Sequence, residues 1–438
     1  MFHFTRHHPA AQDVLVTGIG MITPLAIGAE LSWQRLKDGA TAGRMLTDDQ
    51  IDSHAQLTEL LKRPPGGAPV DHAAISDAAR AVWSRQARGR AADLCRRFGA
   101  DPLNNMVIVS LAEALQQAGL PVAELNRSRT GCVIGTSKAS LRAMEQTTKL
   151  VAEQRSPNPS QLRDSFLSDA PLRAVLNFTG AQGPSSCPVA ACATGLISVI
   201  QAAQLIHSGQ CDVCIAGSAD ASLRASVLAS FHRLGVTSRR PDPRSACRPF
   251  DEQRDGFIIG EGAAVFVLES RQHAEARRAT HTARIVSGGW MTDPTGITQI
   301  DTSGAIVRSV IQQTLNGVPQ SSDEAAEQVF GQSGFCCLHG TATHSNDLAE
   351  AQGLPDNIRA YGIKGAIGHL LGAAGSVELA TTLLSLRDGV IPPTVNFTRR
   401  DPLCALQISN QPVTTRATSA LKLSLGFGGH VAACLVSR

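Results

Sequence analysis

The chain has 438 residues, 43% of them hydrophobic, and its 40 basic residues nearly balance 37 acidic ones, leaving a net charge of +3. So small a charge argues against a nucleic-acid partner, and no segment contains the roughly 20 apolar residues that a bilayer-spanning helix needs, so no membrane insertion is expected. The 11 cysteines lack the spacing of a disulfide framework, which indicates reduced thiols in a cytoplasmic globular protein.

The first segments in chain order are a tail and a strand. Residues 1–12 are predicted to form a flexible tail without the apolar region of a signal peptide. A β-branched run follows at residues 14–17, and Gly18-Ile-Gly20 is expected to form a tight turn before a helix over residues 28–37. Because no third glycine follows at the required spacing, the two glycines are a weak dinucleotide-binding signal. We therefore interpret them as turn residues.

Strands and helices alternate along the rest of the chain. The hydrophobic pattern of the first half predicts helices over residues 103–118, 193–207 and 272–278, and strands over residues 132–135, 212–216 and 263–268. In the second half it predicts strands over residues 282–287, 336–339, 420–425 and 431–436, and a helix over residues 376–386. This alternation predicts layered α/β sheets buried on both faces, with two halves at residues 13–280 and 281–438.

The stretch Pro188-Val-Ala-Ala-Cys192-Ala-Thr-Gly195 carries the strongest candidate for a reactive residue. Cys192 comes just before the buried helix, where the positive end of the helix dipole favours a thiolate over a thiol. Small residues around it leave room for a substrate carbonyl. A cysteine in an apolar segment is also often an ordinary core residue, so a catalytic role requires partner residues elsewhere in the chain.

Two histidines in turn-rich, glycine-containing segments are candidates for those partners. His339 ends a predicted strand in Leu338-His339-Gly-Thr-Ala-Thr343, and His369 lies between glycines in the segment 364–375. Glycines allow backbone groups and imidazoles to approach a substrate closely. Lys364 and Glu378 are expected to form a buried ion pair beside them, because Glu378 falls within an apolar helical pattern.

Cysteine and histidine alone would also suit a cysteine hydrolase, in which one imidazole accepts the thiol proton. The second histidine and Lys364 favour a different reaction, one that needs two N–H donors at the same oxygen. Cys211 and Cys214 match a Cys-x-x-Cys pattern, but they are interpreted as buried thiols rather than a redox pair.

From about Asp13 to its end the sequence resembles the β-ketoacyl-acyl carrier protein synthases, the elongating condensing enzymes of the thiolase-like superfamily. The matching motifs are Val16-Thr-Gly-Ile-Gly20, Ala191-Cys-Ala-Thr-Gly195, Arg248-Pro-Phe-Asp251, Asp255-Gly-Phe-Ile-Ile-Gly-Glu-Gly262, His339-Gly-Thr-Ala-Thr343, the segment 364–375, Gly389-Val-Ile-Pro-Pro-Thr394 and Leu425-Gly-Phe-Gly-Gly-His430. Their order and spacing are those of the family.

The resemblance implies an acyltransferase of fatty-acid or polyketide-type synthesis, with a five-layer αβαβα fold of two pseudo-symmetric halves and a homodimeric assembly. Cys192 would accept an acyl chain from an acyl carrier protein, and His339 and His369 would promote decarboxylation of malonyl carrier protein and stabilise its enolate. The backbone amides of Cys192 and Phe427 would form the oxyanion hole, and the Phe427 ring would gate the acyl pocket. Lys364 and Glu378 match the supporting ion pair. No metal, nucleotide or redox cofactor is implied.

Several positions depart from the family pattern. Val431 replaces a common asparagine after the Gly428-Gly429 turn, His344-Ser-Asn-Asp347 replaces a commoner Pro-Leu-Gly-Asp, and residues 350–363 form a shorter segment than usual. The segment Gly135-Thr-Ser-Lys138 lacks glycines often found there. The resemblance implies that these sites lie near the substrate entrance and the dimer contact, so the differences leave the chemistry in place and the acyl substrate open.

Two other functions within the superfamily stay open at this point. A thiolase would use a second cysteine as a base, but Cys434 lies in an apolar predicted strand and is a poor candidate. A chain-length-factor-like subunit of a heterodimeric ketosynthase would have little condensing activity of its own. Such subunits lack the nucleophile, so the presence of Cys192 argues against this alternative.

Overall fold

The computed structural model describes residues 13–86, 91–156, 164–317 and 334–438. The predicted tail at residues 1–12 lies outside the described residues. The strands are β1 (Val14–Ile22), β2 (Arg44–Met45), β3 (Gly66–Gly67), β4 (Thr130–Gly135), β5 (Ser185–Ser186), β6 (Val213–Asp220), β7 (Gly262–Ser270), β8 (Ala283–Thr292), β9 (Phe335–Cys337), β10 (Ala360–Tyr361), β11 (Val390–Ile391), β12 (Val413–Thr414), β13 (Ser419–Gly426) and β14 (His430–Ser437).

The helices are α1 (Ala29–Lys37), α2 (His54–Leu61), α3 (His72–Gln86), α4 (Ala91–Phe98), α5 (Pro102–Ala118), α6 (Leu141–Ala152), α7 (Ala170–Thr179), α8 (Thr194–His207), α9 (Ala225–Arg233), α10 (Arg271–Ala276), α11 (Ala305–Asn316), α12 (His344–Gly353), α13 (Lys364–Ile367) and α14 (Ala374–Asp388). Local sequence explains many of their ends. Asp101 caps α5 by accepting from the amide of Leu103, and Gly119 ends this helix in a left-handed conformation.

The same strand arrangement occurs twice in a ten-stranded sheet ordered β10-β9-β13-β14-β8-β1-β7-β6-β4-β5. In the first half, β1 pairs antiparallel with β7 and β7 with β6, whereas β6, β4 and β5 run parallel. Strands β8, β14, β13, β9 and β10 repeat this arrangement in the second half. The halves join where β1 and β8 pair antiparallel. This topology is the predicted pseudo-symmetric arrangement.

Three layers of helices alternate with the two halves of this sheet, which gives five layers in all. Helices α8 and α14 pack against each other and against strands of both halves, and so form the central layer. Helices α5 and α7 lie outside the first half, and α11 and α12 lie outside the second. A helix that is apolar on all sides is suited to such a central position, since both of its faces are buried. The predicted αβαβα fold is confirmed.

The prediction of a turn at Gly18-Ile-Gly20 is wrong, because β1 continues through both glycines to Ile22. A Cβ atom at Gly18 would overlap the carbonyl oxygen of Ala114 in α5, and one at Gly20 would overlap that of Ser110. The glycines therefore allow α5 to pack closely on the strand, and close backbone approach is a second use of glycine besides turns. Among the residues that the structure describes, none of the helices has the length and apolar character needed to cross a bilayer.

Candidate active site

Cys192 lies in the tight turn Ala191–Ala193 that leads into α8. Ala191 has a φ of +46°, a left-handed conformation that costs a non-glycine residue about 1–3 kcal/mol. The hydroxyl of Thr194 fixes the turn, since it donates to the carbonyl of Ala191 and accepts from the amide of Ala190, both at 2.8 Å. A strained turn at a helix start is a common setting for a nucleophile. The thiol is 8% exposed and lines a cavity.

A second turn of the same kind, Leu371–Ala373, leads into α14 in the other half, and its first residue has a φ of +45°. The starts of the two central helices are in direct contact. A Cβ atom at Gly195 would lie 2.5 Å from the backbone of α14, and one at Gly375 would lie 2.6 Å from the backbone of α8. Only glycine permits so close an approach. This contact brings His369, just before the second turn, beside Cys192.

The His369 imidazole is held on both sides. Its Nε2 lies 3.1 Å from the Sγ of Cys192, and its Nδ1 accepts from the backbone N–H of Leu371 at 3.3 Å. The backbone N–H of His369 donates to the carbonyl of Ile258 at 2.8 Å, and the ring packs edge-on against Phe257. Because Nδ1 is an acceptor, the neutral ring carries its proton on Nε2, which faces the sulfur.

His339 presents its imidazole to the same place. The ammonium of Lys364 lies 3.2 Å from its Nδ1 and also donates to the carbonyl oxygen of His339. The carboxylate of Glu350 accepts from the amides of His339 and Gly340 at 2.6 and 2.7 Å, which fixes the backbone. The centroids of the His339 and His369 rings lie 5.3 Å apart. An ammonium at Nδ1 makes that atom an acceptor, so the proton of this ring is also on Nε2.

The site is uncharged at its reacting atoms. Burial and the positive charge of Lys364 lower the pKa of both His339 and His369 well below their usual value, so both imidazoles are neutral. Burial also raises the pKa of the Cys192 thiol to about 11, although the charges of Lys364 and Lys138 act in the opposite direction. The expected preference for a thiolate at the helix start is therefore outweighed by desolvation, and the resting site contains a thiol and two imidazoles.

Lys364 and Glu378 form the predicted ion pair, and both side chains are buried. The sequence did not indicate the third member of this group, Lys422, whose Nζ lies 2.8 Å from the Oε2 of Glu378. Lys422 is flanked by Leu421 and Leu423 in β13, so the local pattern suggests only a buried strand. Its alternation of lysine with leucine would have been the one available signal.

Phe427 stands at the outer wall of the catalytic cavity, which has a volume of about 130 Å³. Its ring stacks on Phe231 at a centroid distance of 6.2 Å, and Phe231 contacts Phe257 edge-on. Cys192, His339 and His369 line the same space. The structure thus places the predicted nucleophile, both histidines and the predicted gate around one cavity.

The turn after Phe427 is held by backbone contacts. The amide of Gly428 donates to the carbonyl of Ile297 at 2.7 Å, and the carbonyl of Gly429 accepts from the amide of Asp293 at 2.8 Å. Val431, which replaces a common asparagine, is buried in β14 and pairs with Leu425. The substitution therefore replaces a polar side chain by apolar packing, while the turn keeps its backbone hydrogen bonds.

A group of one thiol and two imidazoles resembles a metal site, since the ligand-type atoms of Cys192, His339 and His369 lie within 4.8 Å of one another. Here, however, two buried ammonium groups, those of Lys364 and Lys422, lie near the imidazoles, and their positive charges lower the pKa of both His339 and His369. A cation would be repelled by both ammonium groups. The charge distribution suits a neutral or anionic group, such as a thioester oxygen that gains negative charge.

The structure adds a polar group behind the second turn that the sequence did not indicate. The carboxylate of Asp220 accepts from the backbone N–H of Gly372 at 3.0 Å and from the hydroxyl of Ser137. The ammonium of Lys138 donates to Ser222 at 2.9 Å and lies 3.5 Å from Asp220. This group connects the unusual segment at residues 135–138 to the turn that holds His369.

The other cysteines considered above are remote from the catalytic cavity. Cys211 and Cys214 are both fully buried with free thiols, as the sequence predicts. Cys434 is buried within β14. It is not one of the described residues that line the catalytic cavity. A second cysteine acting as a base, as in a thiolase, is therefore not supplied by Cys434.

Comparison with known proteins gives the family. The model of the β-ketoacyl synthase N-terminal domain matches residues 11–274, and that of the β-ketoacyl synthase C-terminal domain matches residues 289–398. The chain is 30% identical to the tetracenomycin polyketide synthase ketoacyl synthase alpha subunit of Streptomyces glaucescens, over 99% of this chain and 98% of that protein.

Two further proteins are similar along nearly their whole length. The mitochondrial 3-oxoacyl-[acyl-carrier-protein] synthase of Arabidopsis thaliana is 32% identical, over 96% of this chain and 92% of that protein. A crystal structure of a β-ketoacyl synthase from Burkholderia phymatum superposes with a TM-score of 0.83 at 26% identity, and covers 98% of this chain and 99% of that chain. With its duplicated five-layer fold and a cysteine beside two histidines, this chain belongs to the β-ketoacyl synthase family.

Proposed function

We propose that this protein is a condensing acyltransferase that acts on carrier-bound thioesters in fatty-acid or polyketide-type synthesis. An acyl carrier protein delivers an acyl chain to Cys192, and malonyl carrier protein then extends it by decarboxylative Claisen condensation. The observation that carries the proposal is the pair of neutral imidazoles, His339 and His369, each with Nδ1 as an acceptor and therefore with its proton on Nε2. The Nε2 of His369 faces the sulfur of Cys192, and the ligand-type atoms of all three residues lie within 4.8 Å of one another. Such donors stabilise an enolate without first losing a proton.

In the first half-reaction, the sulfur of Cys192 attacks the acyl carbonyl, the bond to the carrier sulfur breaks, and the thiol proton ends on the departing carrier thiol. The backbone amides of Cys192 and Phe427 are proposed to hold the oxyanion of this step. Gly426 supports this arrangement, because a Cβ atom there would lie 3.0 Å from the amide nitrogen of Cys192. The gate role of Phe427 is supported by its ring at the cavity wall.

In the second half-reaction, malonyl carrier protein loses carbon dioxide, and the electron pair of the broken carbon–carbon bond forms an enolate on the thioester. The Nε2 protons of His339 and His369 donate to the enolate oxygen. The enolate carbon then attacks the acyl carbonyl on Cys192. The bond between the acyl carbon and the Cys192 sulfur breaks as this adduct collapses, which frees the cysteine and releases the β-ketoacyl carrier. The Cys192 thiolate that is expelled takes up a proton from water, which balances the negative charge brought in by the malonyl carboxylate.

An acyl carrier protein is the proposed partner, in its acyl and malonyl forms. Arg63 and Arg239 lie close enough for their charges to interact, and both also act on His232, which marks a basic part of the surface. Arg63 and Arg240 line a shallow pocket together with Phe257, a residue that also lines the catalytic cavity. A carrier with acidic residues and a phosphate on its prosthetic arm would complement this surface.

We further propose a cytoplasmic homodimer whose protomers each contain two halves, residues 13–280 and 281–438. The edge strand β5 is the proposed contact between the two protomers, since Ser185 and Ser186 are exposed at the end of the ten-stranded sheet. Unpaired edge strands commonly pair with a second copy about a two-fold axis. Light scattering on the purified chain tests this assembly.

One experiment tests the function directly. The protein is incubated with an acyl carrier protein thioester, the acyl group on Cys192 is sought by peptide mass spectrometry, and malonyl carrier protein is then added to form the β-ketoacyl carrier. Cys192→Ala is expected to lose acylation and condensation and to retain malonyl decarboxylation. A chain-length-factor-like subunit would neither acylate nor condense alone. No adduct at Cys192 with a competent carrier would contradict the proposal.

A further inference from the structure

Lys422 is a fully buried lysine for which the reaction steps above give no role. Its side chain is 0% exposed, in the middle of β13. An ammonium group that loses its water is costly unless it is paired, so a lysine at such a position needs a compensating partner. Replacing it by leucine, as at the neighbouring positions Leu421 and Leu423, would give an ordinary core strand.

The partner is Glu378, and it is shared between two lysines. The Nζ of Lys422 lies 2.8 Å from Oε2 of this carboxylate, while the Nζ of Lys364 donates to Oε1. Lys422 also contacts the carbonyl oxygens of Leu338 and Leu423. Each oxygen of Glu378 therefore faces one ammonium group, Oε1 through a hydrogen bond and Oε2 through an ion pair without hydrogen-bond geometry, while Lys364 also faces His339.

The charges around Lys422 come from several elements. Glu378 of α14 and Glu350 of α12 are acidic, Lys364 of α13 is basic, and His339 follows β9. The other titratable groups that face this cluster are Cys336, Cys337, Cys434, Lys138, Cys192 and His369. Burial is the largest influence on the pKa of Lys422 and lowers it, but the charge and close contact of Glu378, together with Cys337 and Glu350, leave the pKa above its usual value, so this lysine is charged.

We propose that Lys422 is a positioning residue for the decarboxylation step: it holds Glu378 so that Lys364 stays against His339, and its charge adds to the burial and to the charge of Lys364 that disfavour protonation of both imidazoles. This inference rests on the proposed function. The two roles proposed for Lys422 act together, because the positive charge of Lys422 and the fixed position of Lys364 both disfavour a proton at Nδ1 of His339. A second proton on either ring would convert a neutral imidazole into a positively charged imidazolium, and this charged group would then face the sulfur and the thioester.

Loss of Lys422 should affect the site in a defined order. Glu378 would keep a single partner, so it would draw Lys364 toward itself and away from His339. The Nδ1 of His339 would then lose its donor, and a buried positive charge would be removed from the surroundings of both rings. Each change makes protonation easier. The acid limb of decarboxylation should therefore move to higher pH in a variant without this charge.

The test compares Lys422→Met and Lys422→Gln with Lys422→Arg, which keeps the charge, and with Lys149→Met, an exposed lysine outside the cluster. Malonyl carrier decarboxylation is followed by carbon dioxide release between pH 4 and 8.5, a range that extends well below the usual pKa of histidine. In Lys422→Met and Lys422→Gln, we expect the midpoint of the acid limb of the pH–rate profile to move upward by about one pH unit. This shift corresponds to a change of about tenfold in the equilibrium constant for protonation. Lys422→Arg and Lys149→Met should keep the wild-type midpoint.

A second measurement does not depend on activity. Nitrogen-15 labelling of histidine reports the protonation state and tautomer of His339 and His369 by NMR, with His339→Asn and His369→Asn spectra as assignments. The wild type should show neutral rings with Nε2 protons, and the neutral Lys422 variants should protonate at higher pH. Unchanged histidine titrations and a uniform rate loss at all pH values would overturn the inference. An inactive wild type with the expected titrations would instead reject the proposed function alone.

Discussion

The Nε2 of His369 lies 3.1 Å from the Sγ of Cys192, although the two residues belong to different halves of the molecule. Each residue sits at a strained turn that begins a central helix, and the two helices touch at their first turns. The candidate catalytic centre therefore lies where the first turns of the two central helices meet. Position 372, which corresponds to Cys192 in the repeated turn, is a glycine.

Replacing His339 by asparagine should slow decarboxylation strongly while leaving acylation of Cys192 in place. The variant loses one of two proposed N–H donors to the enolate oxygen, and loss of a donor of this kind typically costs about 10²–10³-fold in rate. Carbon dioxide release and the acyl adduct are measured on the same sample. His281→Asn, at an exposed position, serves as the control. Equal loss of both half-reactions would contradict the assigned roles.

Replacing Lys138 by methionine should make Cys192 less reactive. The charge of Lys138 lowers the pKa of this thiol, against the effect of burial that raises it to about 11. Removing the charge raises the pKa further, so a smaller fraction of thiolate is present at pH 8. Iodoacetamide alkylation of Cys192 should slow several-fold, as measured by peptide mass spectrometry. Lys149→Met should alkylate like the wild type, and a faster rate in Lys138→Met would oppose the predicted sign.

Replacing Gly372 by alanine should destabilise the turn that holds His369. A Cβ atom at this position would overlap the backbone nitrogen of Ser137 and lie 2.9 Å from Oδ2 of Asp220. The backbone must shift to relieve the overlap, which typically costs about 1–3 kcal/mol. Urea unfolding measures the loss. Gly235→Ala is the comparison, since nothing lies within 4 Å of the added atom and only its φ of +71° is unfavourable. A larger loss at Gly235 would contradict the packing argument.

Glu269 should contribute stability that is lost in acid. It bonds with Arg277, His273 and Thr17, and although burial acts to raise its pKa, these contacts lower it to about 2 from an ordinary value of 4.5. Because the folded pKa is the lower one, the contribution is complete above about pH 4.5 and disappears as the pH falls toward 2. Glu269→Gln should therefore unfold with a shallower pH dependence over this range. Thermal melts at pH 3, 5 and 7 test it, and parallel curves would contradict it.

Local patterns were sufficient for most of the fold. The apolar runs at residues 193–207 and 376–386 predicted the two central helices, and alternation predicted strands on either side of them. The glycines of β1 were misassigned because a glycine permits both a turn and close packing, and only the position of α5 distinguishes these uses. Strand order was likewise beyond local patterns, because pairing joins residues far apart in sequence.

The sequence by itself determined the reacting groups, since a cysteine at a helix start and two histidines in glycine-containing turns are chemical features of the chain. The tertiary structure decided how these groups behave. Desolvation raised the pKa of Cys192 and lowered those of both imidazoles, and hydrogen bonds to each Nδ1 set the tautomers. It also revealed Lys422, whose partner Glu378 lies on another element. The burial of these groups and the distances between them depend on which segments pack together. Because those segments lie far apart in sequence, only the folded chain decides them.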